Sequence, residues 1–182
     1  MRYPIAILLL LAALPAALSA TTVIPMDVEQ LTQHSTHIVE ARALESVSQW
    51  NAEHTLIFTY TKFQTLRTLK GELPNIFMVR QLGGTVGDTT QKVAGIRHWR
   101  VGDESVLFLQ PGSLPDGALV VTGLMQGNYL IRRTAQGQAL VSNGMPDASE
   151  YHAATGETTT FKGSKNLSLT DLEARIAKAV QR

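Results

Sequence analysis

The feature that most constrains the fold is the run of residues 56–69, which is rich in threonine, phenylalanine and tyrosine. Residues of these types favour a pleated strand. Phe58 and Tyr60 would lie on one face of such a strand and Phe63 on the other, so a single flat strand cannot bury all of the aromatic side chains. We therefore predict one long strand with a bulge or sharp bend near Thr61.

Further short strands are predicted on both sides of this run. The clearest alternates with period two, placing Val39 and Ala41 on one face and Glu40 and Arg42 on the other. The long run is expected to pair antiparallel with the strand that follows it, across a turn rich in glycine and proline. The predicted strands span residues 36–47, 56–69, 76–82, 105–109, 119–122, 128–133 and 138–142.

Helix signals occur only near the two ends of this region. Asp27 can cap a short helix in which Val28 and Leu31 lie one turn apart. Thr170 and Glu173 form a capping box for a final helix with one apolar stripe.

This arrangement of elements indicates a barrel. Many short strands with glycine-rich turns and only terminal helices are typical of an antiparallel barrel or sandwich. A small barrel is favoured because long, bent strands close a sheet without leaving free edges. We predict a mainly β fold, a small antiparallel OB-like β-barrel with a short N-terminal helix and a C-terminal amphipathic helix. The predicted parts are the barrel (21–142), a polar connection (143–168) and the final helix (169–182).

Residues 1–20 have the three parts of a secretory signal peptide. A basic start at Arg2 is followed by an apolar stretch over residues 5–14 and by small residues up to Ala20. The stretch is shorter than the roughly 20 residues of a membrane-spanning helix. We therefore expect cleavage after Ser19 or Ala20, no remaining membrane anchor, and a soluble protein of the periplasm or the extracellular space.

Charge and composition narrow the classes of partner. Of 16 basic and 15 acidic residues, 15 of each remain once Arg2 leaves with the signal peptide, so the formal net charge falls to zero. A neutral chain has no general attraction for nucleic acid or anionic lipid, and we predict neither as a partner. The sequence has no cysteine, which excludes disulfide bonds and thiol redox chemistry.

The sequence contains no linear motif for catalysis or metal binding. HExxH, GxSxG and SxxK arrangements are all absent. His34 and His37 are three residues apart but straddle the predicted junction of helix and strand, and His98 and His152 lie far along the chain. Ser105 is interpreted as the first residue of a buried strand. We predict no catalytic residue, no metal ligand and no cofactor.

Two segments are candidates for a contact surface, because loops carry contacts while the scaffold holds them. One is the loop that begins with Gly83 and Gly84, which lacks the lysine of a phosphate-binding loop and is interpreted as a tight, adaptable turn. The other combines Arg97 and Arg100 with Trp99, a cluster that could stack on a base or a sugar. Packing of Trp99 under the barrel rim is the favoured alternative.

Several motifs follow one another in a distinctive order. They are STHIVEARAL at residues 35–44, TLKG at 68–71, QLGG at 81–84 and VGDE at 101–104, followed by VLFL. This order resembles the netrin-like module, the OB-fold barrel of tissue inhibitors of metalloproteinases. It is also similar to a group of uncharacterised bacterial exported proteins.

The resemblance implies a site at the mature N-terminus. In the inhibitors, the amine and carbonyl of the first residue chelate the catalytic zinc of the protease, and a short ridge lies beside them. The alignment places Thr21 at that position, with Thr22 and Val23 in the ridge. The disulfides that pin this ridge in the family are absent here, so we expect an unpinned segment with less preorganisation.

Three functions follow as expectations. The first is a non-catalytic binding module of the bacterial cell envelope that engages a protein or a surface glycan. The second is an inhibitor of a co-exported zinc metalloprotease that acts through its N-terminus. The third is a hydrolase that gathers His37, His98 or His152 with a carboxylate in one pocket. The candidate binding residues are Thr21, Thr22, Val23, Gly83, Gly84, Arg97, Trp99 and Arg100.

Overall fold

The computed structural model describes residues 21–145 and 148–181, so the predicted signal peptide lies outside the described residues. Thirteen strands and two helices occur along this part of the chain. The strands are β1 (Thr21–Val23), β2 (His37–Trp50), β3 (Ile57–Lys70), β4 (Ile76–Leu82), β5 (Gly84–Val86), β6 (Thr89–Gln91), β7 (Glu104–Pro111), β8 (Leu119–Val121), β9 (Asn128–Arg133), β10 (Ala139–Ser142), β11 (Ala148–His152), β12 (Glu157–Thr160) and β13 (Leu167–Ser168). The helices are α1 (Val28–His34) and α2 (Leu169–Val180).

Five of the strands close into a barrel in the order β2, β3, β4, β8, β7 and back to β2. Each neighbouring pair is antiparallel except β4 and β8, which pair parallel at Val79 and Leu119. A small five-stranded barrel of this kind has the architecture of the OB fold. The predicted fold class is confirmed, including the short helix near the N-terminus and the helix at the C-terminus.

Strand β7 lies between two hydrophobic cores, which explains its unbroken apolar sequence. Leu107 and Leu109 belong to the cluster inside the barrel, together with Phe63. Val106 and Phe108 belong to a second cluster, to which α1, α2 and β9 contribute. Beyond β7 the sheet continues through β9, β10 and β13, and the hairpin predicted between β9 and β10 is confirmed.

The two helices pack on the second cluster. The carboxylate of Asp27 accepts a hydrogen bond from the backbone of Gln30, whose side chain accepts one from the Asp27 N–H, and this confirms the predicted cap of α1. Helix α2 is capped by Ser168, whose side chain accepts a hydrogen bond from the Asp171 N–H. The predicted capping box of Thr170 and Glu173 is wrong, because the helix begins before Thr170. Neither described helix is long and apolar enough to cross a bilayer.

The long hairpin of β2 and β3 carries three irregularities of register. One extra residue, Leu44, lies in β2, and two others, Leu66 and Leu69, lie in β3. The bend predicted near Thr61 is wrong, because β3 alternates without interruption from its first residue to Phe63. The strand leaves its other aromatic residues partly exposed on the outside and does not bend to bury them.

The segment predicted as a polar connection, residues 143–168, contains three strands. β11 and β12 form a hairpin, and β1 adds to it by parallel pairing with β11. Met145, Ala148 and Phe161 are buried in the barrel cluster, so the core extends beyond residue 142. The sequence did not reveal the hairpin because every residue of β12 is exposed, which leaves no alternation of apolar and polar side chains.

Candidate functional site

A concave surface lies on the outer side of β2, β3 and β4. The extra residue Leu44 shifts the alternation of β2, so that Glu45, Val47 and Gln49 face outward and not into the barrel. The groove has a volume of about 410 Å³. We call it the β2–β4 face, and it is lined by Glu45, Val47, Gln49, Tyr60, Lys62, Met78 and Asp116.

Several apolar side chains around this groove are open to solvent. Val47 is 52% exposed and Met78 is 39% exposed, and Ile76, two residues before Met78 on β4, is 43% exposed. Leu114, in the loop between β7 and β8 that also carries Asp116, is 42% exposed. Single exposed apolar residues are ordinary, whereas several around one groove form the kind of patch that marks a contact surface.

A buried arginine fixes the loop that borders the groove. Arg80 Nη1 donates to Asp116 Oδ2 at 2.5 Å, and the Tyr60 hydroxyl donates to the same oxygen at 2.9 Å. The backbone N–H of Ala118 donates to Oδ1 at 3.1 Å, and the Arg80 guanidinium carbon lies 5.2 Å from the centre of the Phe58 ring. The loop between β7 and β8 is therefore tied to the sheet at one point.

These contacts set the protonation of the groups that they join. Burial alone would raise the pKa of Asp116, but hydrogen bonds from Ala118, Tyr60 and Arg80 hold it below its ordinary value. Burial, and donation to Asp116, raise the pKa of Tyr60. At neutral pH the pair is thus a carboxylate and a neutral phenol, and the attraction to Arg80 is retained.

The remaining charges on the β2–β4 face are balanced. Lys62 Nζ lies 2.9 Å from Glu45 Oε2, with both side chains well exposed, and the two residues are directly opposite in the hairpin. With Arg80 and Asp116 also paired, the surface carries no net charge. It is suited to apolar contacts and hydrogen bonds more than to the capture of an ion.

The inner side of the same hairpin is lined by hydroxyl groups. Ser46 pairs with Thr61 and Ser48 pairs with Thr59, each with an oxygen–oxygen distance of 2.8 Å. Thr59 and Thr61 are buried. The inner side of β3 thus carries these hydroxyl groups between two buried apolar residues, Ile57 and Phe63.

Gly83 and Gly84 begin the β5–β6 hairpin that packs against these hydroxyls. Gly83 is buried, and its N–H donates to the Ile57 carbonyl at 2.7 Å. A Cβ added to Gly84 would lie 2.3 Å from Thr59 Oγ1 and 2.4 Å from Ser48 Oγ. The loop predicted to be adaptable is a packed hairpin, and close approach of the backbone accounts for these two glycines.

Trp99 lies in the core and offers no face to a ligand. Trp99 is 4% exposed, and its ring stands edge-on to the ring of Phe63, with the ring centres 4.9 Å apart. Nε1 donates to Asn128 Oδ1 at 3.1 Å. This is the packing under the barrel rim that the sequence favoured, and it removes Trp99 from the candidate binding residues.

The two arginines beside Trp99 have different environments. Arg97 is half-buried, and burial lowers its pKa; Arg132 lowers it further, whereas Asp103 opposes the shift. Arg100 is exposed, and its backbone N–H donates to the Asp103 carboxylate at 2.9 Å. Of the predicted cluster, only Arg97 and Arg100 are accessible to a ligand.

The predicted N-terminal site forms strand β1. All three residues of Thr21–Val23 pair parallel with β11. Just beyond them, the Gln126 side chain accepts a hydrogen bond from the Met26 N–H at 2.8 Å and donates to the Ile24 carbonyl at 3.0 Å. The segment expected to be unpinned is therefore held without disulfides, by backbone pairing and one buried amide.

Two of the histidines considered as ligands contact neutral groups. His37 Nδ1 lies 2.8 Å from Thr36 Oγ1, and His98 Nδ1 lies 3.1 Å from Gln81 Oε1. Burial lowers the pKa of His98. Across residues 21–145 and 148–181, no three His, Cys, Asp or Glu side chains are grouped as a metal site would require.

The third histidine, His152, does not form the contacts expected of a catalytic triad. His152 Nε2 lies 3.0 Å from Thr159 Oγ1 and 3.3 Å from Glu150 Oε1. In a catalytic triad the carboxylate orients the ring through the other nitrogen, whereas here hydroxyl and carboxylate meet the same one. Ser105 is wholly buried in β7, as its interpretation as a residue of a buried strand requires.

No family model matches the chain, and no curated protein matches it at a significant level. Function is therefore inferred from the surfaces of the molecule.

Proposed function

We propose that this chain is an exported, non-catalytic binding module of the cell envelope that contacts a protein partner through the β2–β4 face. The observation that carries the proposal is the exposure of Val47 and Met78 on the two strands that flank β3, around a groove with balanced charge. The export component is proposed from the composition of residues 1–20 alone.

The position of the groove in the barrel supports this choice. OB folds bind oligonucleotides and oligosaccharides on the face of the second and third barrel strands, between the loops that follow the first and fourth strands. In this chain those strands are β3 and β4, and those loops lie over residues 51–56 and 112–118. The β2–β4 face occupies that place.

The chemistry of the surface favours a protein over a polyanion. Aromatic residues and methionine are enriched in protein interfaces. Tyr60 and Met78 lie in the groove, and Glu45 is paired with Lys62. A nucleic acid would be drawn to an excess of positive charge, which this face lacks.

Site-specific photo-crosslinking in intact cells of the source tests the proposal. A photoreactive residue at Val47 or at Met78 is expected to give one discrete adduct of the same partner. The matched control is Val180 on α2, which is 44% exposed and lies outside the face. A second variant, Val47→Asp, is expected to remove the adduct formed from position 78. Adducts of equal yield from Val180, or none from positions 47 and 78, would overturn the proposal.

A second candidate function is inhibition of a secreted zinc metalloprotease through Thr21. The observation that favours it is the fixed N-terminal segment, because pairing with β11 and the Gln126 amide supply preorganisation that the absent disulfides cannot. Protein that begins at Thr21 is expected to inhibit, and protein that begins one residue earlier, at Ala20, is expected not to. Residual protease activity measured with both forms decides this, and no inhibition by either form excludes the mechanism.

A further inference from the structure

A second cleft lies at the other end of the eight-stranded sheet, on β9 and β10 and beside β13. Its volume is about 220 Å³. Its lining includes Arg132, Arg133, Thr134, Leu140, Ser142 and Asn166. It shares no lining residue with the β2–β4 face.

The floor of this cleft is one face of a packed hairpin. Leu140 lies directly opposite Arg132 in the register of β9 and β10, and Ser142 lies two residues further along β10. These side chains therefore share a face. Ile131 and Val141 point the other way, into the second hydrophobic cluster, which holds the hairpin in place from behind.

The charge of Arg132 in this cleft is not balanced by a carboxylate of the described residues. Arg132 is exposed and forms no ion pair with any residue that the structure describes, whereas Arg133 shares Glu104 with Arg42. No aspartate or glutamate occurs among the described residues that line the cleft. The charge of Arg132 also acts on Arg97, whose pKa is lowered by burial first and by Arg132 in addition.

We propose that this cleft binds a small organic oxyanion, a carboxylate or a phosphate ester, with the charged group on Arg132. The planar guanidinium can donate two parallel hydrogen bonds to either group. Asn166, Thr134 and Ser142 supply further donors beside it, and Leu140 supplies an apolar floor. The volume is below the roughly 300–1,000 Å³ of pockets for drug-sized ligands, so the ligand has about the size of one sugar ring.

Calorimetric titration of the purified chain with three matched probes tests this site. The probes are glucuronate, glucose 6-phosphate and glucose, which share a ring and differ in the charged group. We expect saturable 1:1 binding of at least one charged probe and none of glucose. Binding of glucuronate alone identifies the carboxylate as the ligand group, and binding of glucose 6-phosphate alone identifies the phosphate.

Variants separate a built site from general electrostatic attraction. Arg132→Gln is expected to weaken binding at least about tenfold, because it removes a charge-assisted contact, and Arg132→Lys is expected to be intermediate because the charge remains without the fork. Arg67→Gln, on an exposed arginine of β3 paired with Glu173, removes the same charge elsewhere and is expected to leave affinity unchanged. No saturable binding of either charged probe, or equal weakening by Arg67→Gln, would overturn the proposal. Neither result bears on the β2–β4 face.

Discussion

The two halves of the β2–β3 hairpin carry different sets of side chains on their inner side. In the half nearer the helices, Ala41 and Ala43 of β2 and Phe63 of β3 are buried in the apolar cluster of the barrel. In the other half, which we call the distal half, the inner side carries Ile57 and the hydroxyl pairs of residues 46, 48, 59 and 61, and the apolar residue Val47 is on the outside. The two halves meet at the extra residue Leu44.

The exposed apolar residue and the buried hydroxyl groups of the distal half affect stability and binding differently. Val47 is 52% exposed and stabilises the fold less than a fully buried valine would, because apolar side chains stabilise a fold roughly in proportion to the area that they remove from water. Buried hydroxyls are tolerated when each has a hydrogen-bond partner. The inner side of the distal half therefore combines the buried Ile57 with paired hydroxyl groups, and the apolar residue Val47 on the outside remains available for contact with another molecule.

The largest expected loss of stability comes from a substitution that disturbs the inner side of the distal half. Gly84 has φ +141°, and an added Cβ would overlap the hydroxyls of Thr59 and Ser48. Gly84→Ala is expected to lower the free energy of unfolding by about 3 kcal/mol or more, from backbone strain and the clash together. Denaturant unfolding measures this. Gly87→Ala, in the same hairpin with φ +56° and nothing within 4 Å, should cost only about 1 kcal/mol; an equal loss in both variants would show that the clash is unimportant.

Removing the Asp116 carboxylate, which ties the loop between β7 and β8 to the sheet, is expected to have the next largest effect on stability. Asp116→Asn leaves the buried Arg80 guanidinium without its counter-charge, and we expect a loss of about 2–3 kcal/mol at pH 7, below the range for a fully buried pair because Asp116 is partly hydrated. Asp88→Asn, an exposed turn residue, serves as the control.

The pH dependence of this loss has a defined sign. The folded pKa of Asp116 is below its ordinary value, so its contribution is present above the pKa of the unfolded state, near pH 4, and is lost as the pH falls through the folded pKa. The difference between wild type and Asp116→Asn should therefore shrink as unfolding is measured from pH 7 towards pH 2. A difference that stays constant would contradict the assigned role of the carboxylate.

Thr59 tests whether the hydroxyl pairs stabilise the distal half. Its Oγ1 contacts Ser48 Oγ at 2.8 Å and donates to the Gly83 carbonyl at 2.7 Å. Thr59→Val keeps the shape and removes both contacts, and we expect it to cost about 1–2 kcal/mol. Thr85→Val changes the exposed pair of Thr85 and Thr90 and should be close to neutral. Thermal or denaturant unfolding of the two variants gives the comparison.

The sequence predicts the parts of this molecule in which local pattern and packing agree. Strand β9 begins and ends at the predicted residues, Asp27 caps α1, and the predicted apolar stripe of the final helix places Leu172 and Ile176 in the second cluster. The β11–β12 hairpin was not predicted because its outer strand is exposed on both sides. The β2–β4 face was not predicted either, because the side of the sheet on which Val47 lies depends on the bulge at Leu44, which has no partner in the register of β2 and β3. The position of this bulge depends on packing across the closed barrel, and the local sequence contains no pattern that predicts it.

Ser105 gives the smallest effect and the sharpest contrast between the two halves. It lies opposite Ala41 in the register of β2 and β7, wholly buried, and its hydroxyl has no partner among the described residues. A buried hydroxyl without a partner retains its desolvation cost, whereas the hydroxyl of Thr59 is compensated. Ser105→Ala is therefore expected to be neutral or to raise the free energy of unfolding by up to about 1 kcal/mol, opposite in sign to Thr59→Val. A fall in the free energy of unfolding comparable to that of Thr59→Val would mean that the Ser105 hydroxyl has a hydrogen-bond partner. The proposed difference between the two halves would then be wrong.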